Sequence, residues 1–511
     1  MPLNLITIRP GFNKQITDTA AEGQYVDGDF VRFRSGLPEK IGGWSKITSN
    51  TLCGVARAQH QYTDLDGRIY AAIGTLKTLI IYYQGAFYDI TPLESPQTGA
   101  TFDTTNGSAV LTVNLTGHLL QQGDLFTFTS VTPPTGAGYV ASDFTGQTFE
   151  VTSRVSANEF TITMAANATA DNTASGAATV NRYVIVGPLG QASGYGWGTD
   201  LWGGESSLET NLNGGINNIV STITVNDTTG FPTSGSIKID SEIISYTGIS
   251  NNDFTGCSRG QQSTSPASHS DGASVEALIG WGEASLSGAT NIEPGNWSLD
   301  NFGQILIATI FDGRTFIWQP IENTANALET RATIMTGAPT KSIMTIVSDQ
   351  DRHLFHLGTE TTIGNNETQD KMFVRFSDQE DYSVYQPTST NTAGTFRLDD
   401  GTEIRAAVKG KDYVLVTTDT AAYTIQYVGA PFTFSLRKVG SNCGCVGQHA
   451  MQFKDGIVYW MDDSGGFNYF DGTVKTLECP VEDFVFTTNN PGDLGFNYGL
   501  LVHKFFSKDN S

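Results

Sequence analysis

Charge is scarce in this sequence. Only 16% of its residues are Asp, Glu, Lys or Arg, against about a quarter in ordinary soluble domains, so Ser, Thr, Asn, Gln and Gly must cover much of the surface. Basic residues are scarcer still: 29 Lys and Arg face 52 Asp and Glu, for a formal net charge of −23. No Lys/Arg-rich run breaks that balance. Tight nucleic-acid binding by phosphate neutralisation is therefore excluded unless a local basic surface defies the total. An acidic surface beside a duplex would instead repel phosphates and let the duplex slide.

Long apolar runs are missing too. The best, Tyr183-Val184-Ile185-Val186 and Leu79-Ile80-Ile81-Tyr82-Tyr83, are strand-sized, which excludes a helical membrane span. The start, Met1-Pro2-Leu3-Asn4-Leu5-Ile6-Thr7-Ile8, lacks the basic and apolar regions of a signal peptide, so the chain is expected to stay in the cytosol where it is made. Cysteine is sparse and odd in number, with Cys53, Cys257, Cys443, Cys445 and Cys479 scattered over the chain. That fits reduced thiols better than a disulfide framework. Long amphipathic helices are also lacking, which excludes bundles, doubly wound folds and coiled coils.

What is present is a β vocabulary. Short apolar runs alternate with Thr/Asn/Ser stretches and 56 glycines, the pattern of many short strands joined by tight turns. An apolar strand, a Gly- or Asp-rich turn and a second strand ending in aromatics recur as a hairpin. Copies are Arg68–Ile73 with Leu79–Tyr83, Ile305–Ala308 with Thr315–Trp318, Tyr413–Val416 with Tyr423–Tyr427, and Ile457–Trp460 with Phe467–Phe470. A weaker copy pairs His353–Gly358 with Met372–Phe376. After residue 300 they return about every 45 to 60 residues, the spacing of propeller blades. The fold expected is all-β, a propeller-like main domain built from discontinuous segments, with an irregular β-sandwich as the alternative.

Two small β modules interrupt the series. The main domain is expected over 1–96, a sandwich or barrel insert over 97–181, a main-domain linking segment over 182–207, a second hairpin-built insert over 208–278, and the remaining blades over 279–511. Gly196-Trp197-Gly198 before the second insert and Gly280-Trp281-Gly282 after it read as a parent loop opened to accept it. The last residues, Leu500–Phe506, read as a strand, so the protein is expected to continue past residue 511.

Local chemistry is faint, and no catalytic, cofactor-binding or metal-binding residue is assigned. Gly256-Cys257-Ser258-Arg259-Gly260 matches a nucleophile elbow, but no helix follows to expose the serine. Cys443-Gly444-Cys445 lacks the gap of zinc or redox pairs, although Cys479 could approach it. Asp64-Leu65-Asp66-Gly67 opens like a calcium loop without its later bidentate acid. The seven histidines, His60, His118, His269, His353, His356, His449 and His503, are dispersed, and the close pair at 353 and 356 would point to opposite faces of a strand. Asp399-Asp400 and Asp462-Asp463 fall in predicted turns. A glycosidase propeller, whose acids come from distant strands, would leave no local motif.

Several segments resemble a known family. They are Val31-Arg32-Phe33-Arg34-Ser35-Gly36-Leu37-Pro38-Glu39-Lys40-Ile41-Gly42-Gly43-Trp44, Trp297-Ser298-Leu299-Asp300-Asn301-Phe302-Gly303, and Val374-Arg375-Phe376-Ser377-Asp378-Gln379-Glu380-Asp381. With them go Tyr427–Ser435, Val439–Gly444 and Val458–Met461. Together they resemble the tail-hub or nozzle proteins of short-tailed bacteriophages, also known as packaged-DNA stabilisation or head-closure proteins. The resemblance covers about 25–90 and 190–490 and leaves out both inserts.

The resemblance implies a structural virion protein and not an enzyme, a hub subunit in a ring of six copies below the portal and its adaptor ring. It further implies a channel that holds and releases double-stranded DNA without reading its sequence, and an attachment point for tail fibres or tailspikes. The expected location is the virion tail, assembled in the host bacterial cytoplasm, with no cofactor. The alternative is a carbohydrate-binding or glycan-depolymerising propeller of a phage tail. The motif tryptophans and glycines read as blade packing.

Overall fold

The computed structural model describes residues 8–17, 19–28, 30–43, 45–47, 51–186, 209–261, 264–278, 295–320, 328–429, 432–462, 464–480 and 482. The chain forms two compact units, Met1–Pro92 with Gly295–Ser511, and Leu93–Pro294. By sequence, 182–207 and 279–294 lie within the bounds of the second unit; both Gly-Trp-Gly motifs, and the stretch 500–506, lie outside the described residues. The protein is all-β, and short 3₁₀ turns at Ala141–Asp143 and Asn366–Thr368 punctuate the strands.

The first unit is propeller-like. Among the described residues it holds five four-stranded antiparallel sheets, each with its strands in chain order, which we term blades. Their first strands are Ala56–Thr63, Trp297–Phe302, Met344–Ser348, Ile404–Lys409 and Met451–Lys454. Each of these inner strands packs on the next. The recurring hairpin of the sequence is the middle of each blade, its second and third strands. In the third and fourth blades the second strand is covered on both faces, every residue of His353–Leu357 and of Val414–Thr418 being buried, whereas Ile457–Met461 of the fifth blade alternates and leaves Tyr459 exposed. A strand covered on both sides reads as a continuous apolar run, not as an alternation. Fourth strands such as Thr333–Ile334 and Val474–Thr476 are short and largely exposed, and carry no comparable signal.

Large side chains fill the joints between blades. Trp460 of the fifth blade packs with Leu415, Cys443, Cys445, Met451, Val458 and Phe470, joining the fourth blade to the fifth. Trp297 staples the first blade to the second, its indole Nε1–H donating to the Thr75 carbonyl at 2.9 Å. Gly74 is small for this reason, since a Cβ there would lie 2.5 Å from the Trp297 ring.

The second unit holds two modules. In the first, strands run in the order Thr148–Glu150, Leu125–Thr132, Asn172–Arg182, Gln97–Thr104, Val110–Asn114, Glu159–Thr163, Ser153–Arg154, as one seven-stranded sheet. Its core is aromatic, with Phe102, Phe126, Phe128, Phe144 and Phe160 fully buried and meeting mostly edge to face, the geometry that ring quadrupoles favour. The second module pairs a four-stranded with a three-stranded sheet around Ile223, Ile237, Ile244 and Phe254. Arg154 of the first module and Asp227 of the second form a largely buried ion pair.

Candidate functional site

The propeller's inner strands converge on one carboxylate. Asp300, on the second blade, is nearly fully buried. Its Oδ2 accepts from the Val347 N–H of the third blade at 2.7 Å. Its Oδ1 accepts from the Asn301 N–H at 2.8 Å and from Lys409 Nζ of the fourth blade at 2.7 Å. Lys409 also donates to Asp349 at 2.9 Å. His60 Nε2 of the first blade lies 2.8 Å from Asn301 Oδ1 and 3.8 Å from Asp300. Burial works against the Lys409 ammonium, but Asp300 and Asp349 outweigh it and hold the group above an ordinary lysine. Each Asp300 oxygen is met by a fixed donor, so the cluster acts as a polar tie across four blades.

A second network lies inside the third blade. His356 Nδ1 is 2.9 Å from Ser342 Oγ, and its Nε2 is 3.1 Å from Tyr385 Oη. The Ser–His distance suits a nucleophile and its base, yet Ser342, His356 and Tyr385 are all sealed from solvent, so no substrate reaches them in this conformation. Burial, reinforced by Arg375, pushes His356 down to about 3, so the folded state holds a neutral imidazole. Protonation from pH 6.5 downward then favours the unfolded chain, and this contribution to stability is complete above 6.5 and lost as the pH falls toward 3. We expect His356→Gln, which retains hydrogen-bonding groups without titrating there, to flatten the pH dependence of propeller melting in that window. An unchanged slope would reject this role.

Where the structure describes them, the motifs singled out in the sequence fall in hydrogen-bonded turns, ion pairs and buried packing. Ser258 is locked in a backbone bridge to Ser245, while its neighbour Arg259 grips the buried Glu242 through two hydrogen bonds of 2.8 and 2.7 Å. Glu242 also accepts from the Gly260 and Ala267 N–H groups and lies 2.8 Å from His269 Nε2; His269 Nδ1 reaches Asp240 at 2.7 Å. Burial raises the Glu242 pKa, but Arg259, the Ala267 amide and His269 outweigh it and hold the carboxyl at about 2. Cys443 and Cys445 are buried, and burial pushes their thiols up to about 11 and about 12, which keeps them protonated and poor nucleophiles.

Asp64 accepts from the Asp66 and Arg68 N–H groups and shapes a turn. Asp399 accepts from Tyr423 Oη at 2.6 Å, Asp400 pairs with Lys438, and Asp462 accepts from Asn468 Nδ2 at 2.6 Å. His353 and His356 point to opposite faces, His353 toward Thr392 and Phe434. Asp463 and His503 lie outside the described residues. Among the described residues no three His, Cys, Asp or Glu side chains are grouped to hold a metal, and no helix is long and apolar enough to cross a membrane. Sequence reading missed the Asp300 tie and the Glu242 network, whose bonded members lie up to 241 residues apart in the first case.

Two surface features remain. The propeller unit exposes large apolar side chains: Phe30 is 73%, Leu37 71%, Ile47 80% and Phe432 77% accessible. The first inserted module carries an open groove of about 630 Å³ lined by Tyr139, Asp143, Gln147, Glu150, Thr152 and Met164 among others, with no Lys or Arg in its lining.

No protein-family model matches the chain, and no curated protein matches it. Similar solved structures include the endosialidase of phage phi92, with 15% identity, a TM-score of 0.15, and 83% of this chain and 55% of that one covered. Another is the extracellular domain of a hybrid two-component system of B. thetaiotaomicron, with 11% identity, a TM-score of 0.25, and 82% and 60% covered. The chain thus spans less than two thirds of the length of either. Likenesses this distant say nothing about chemistry.

Proposed function

We propose that the chain is a structural subunit of a bacteriophage tail, a hub or nozzle protein that self-associates into a ring around the DNA exit channel. In this reading six copies stand below the portal and adaptor ring, retain packaged DNA and anchor fibres or tailspikes. The observation that carries the reading is the joint exposure of Phe30, Leu37 and Ile41 on and beside the Val31–Lys40 hairpin, because neighbouring large apolar groups left in water mark surfaces that partners cover. The segments that resemble tail-hub proteins lie in the same unit, Trp297–Phe302 as an inner strand and Val31–Arg34 with Leu37–Lys40 as a projecting hairpin.

The purified chain is expected to form rings visible by negative-stain microscopy and to sediment as an oligomer, alone or with a portal–adaptor complex. A chain that stays monomeric at every concentration and ignores other tail parts would sink the reading.

The groove in the first inserted module favours a second reading, glycan binding. Amides, hydroxyls and carboxylates beside Tyr139, without a cation, suit neutral sugar hydroxyls and not polyanions. A depolymerase would clear a glycan lawn as the isolated chain, which a ring subunit would not.

A further inference from the structure

Resting on the ring reading above, we propose that the hairpin Val31–Arg34 with Leu37–Lys40, together with its flanks, is the basic half of the subunit interface and docks on an acidic face of a second copy of this chain.

The hairpin stands apart by construction. Ser35 and Gly36 both have positive φ, 50° and 82°, so the two-residue turn matches the right-handed twist of the strands it joins. Among the described residues no third strand joins this pair, and a lone two-stranded hairpin is marginal in water. One face has support: Phe33 rests on Phe12 and Tyr25, with ring centroids 5.3 Å away in each case. On the other face Arg32 pairs with Glu39 at 3.3 Å, and among the described residues no ring packs there. Register places Arg34 opposite Leu37 and Arg32 opposite Glu39, and Arg32, Arg34 and Leu37 are exposed. Just beyond the strands, Phe30 and Ile41 are joined by the Ile41 N–H donating to the Phe30 carbonyl at 2.7 Å, and both side chains face solvent.

Charge names the occupant. Residues 30–47 contain Arg32, Arg34, Lys40 and Lys46 against Glu39, a net of +3 in a chain of −23. Everything outside this stretch therefore sums to −26. Residues 93–294 alone hold 18 Asp and Glu against 4 Lys and Arg. A basic, apolar projection on an otherwise acidic molecule is complementary to another copy and to little of itself, since like surfaces elsewhere repel. Because hairpin and target differ, the contact is head-to-tail, the kind that closes into a ring when the rotation permits. Double-stranded DNA would meet the same basic residues, but the surrounding negative charge opposes it.

The test uses the full chain in sedimentation velocity at about 50 mM and about 500 mM NaCl, where screening lengths differ about threefold. The charge reversal Arg34→Glu with Lys40→Glu is expected to weaken association about tenfold or more at low salt and far less at high salt. Leu37→Ser should weaken it at both salts. All three residues are exposed, so melting should not change. If the wild type associates and both variants associate equally well, the interface lies elsewhere; the proposal falls while the ring reading stands. If the wild type never associates, both fall. If the variants assemble normally but lose retention of a duplex in a gel shift, the hairpin is a nucleic-acid contact and the proposal is wrong.

Discussion

Trp460→Ala should lower the unfolding free energy of the propeller unit by about 3–5 kcal/mol, the usual cost of emptying a large aromatic site in a core. The indole is 2% accessible and surrounded by side chains of the fourth and fifth blades, so its loss opens a cavity at a joint and not in a loop. Its Nε1–H also donates to the Cys443 carbonyl at 3.1 Å, and that buried acceptor would lose its partner. Tyr459, the next residue, is 37% accessible and faces the other way, beside Tyr469; Tyr459→Ala should cost about 1 kcal/mol or less. Urea unfolding of both variants checks this. Equal effects would mean that Trp460 does not hold the blade joint. If rings form, Trp460→Ala should also reduce their yield.

Glu242→Ala should destabilise the second inserted module by about 3–5 kcal/mol, since it leaves the buried Arg259 guanidinium and His269 without their shared carboxylate. The pair is 1% and 7% accessible, so water does not replace the lost partner. Lys238–Glu276, in the same module but 42% accessible on both sides, supplies the comparison: Glu276→Ala should change stability by less than about 1 kcal/mol. Amide exchange or limited proteolysis over residues 209–277 reads both. The acid response follows the same carboxylate. Held at about 2 against an ordinary 4.5, Glu242 stabilises fully above pH 4.5, and that contribution fades as the pH falls toward 2. The window lies mostly below the one set by His356, so acid should loosen the propeller unit first as far as these two groups decide it. Protection in the module that is indifferent to Glu242→Ala would remove the network from its core.

Much of the architecture was legible because burial leaves a local trace. The second strands of the third and fourth blades are covered on both sides, and Val414-Leu415-Val416 announces that without help from the rest of the chain. Turn chemistry was equally plain, with Asp312-Gly313 and Gly465-Gly466 between paired strands. The candidate sites were harder. The pattern at 256–260 drew the eye to Ser258, whereas its working residue is Arg259, which reaches a carboxylate 17 positions earlier. Nothing in a linear reading of Asp300 or Lys409 announces that the two meet.

By itself the sequence determined the fold class, the repeated hairpin, the turn positions and the acidic balance, all properties that neighbouring residues encode through period, propensity and charge. Only the tertiary structure decided which inner strands lie side by side, which polar groups close the Asp300 and Glu242 networks, and which apolar residues are left in water. Those outcomes rest on contacts between distant segments, and their energy arises only when blades stack and exclude solvent together.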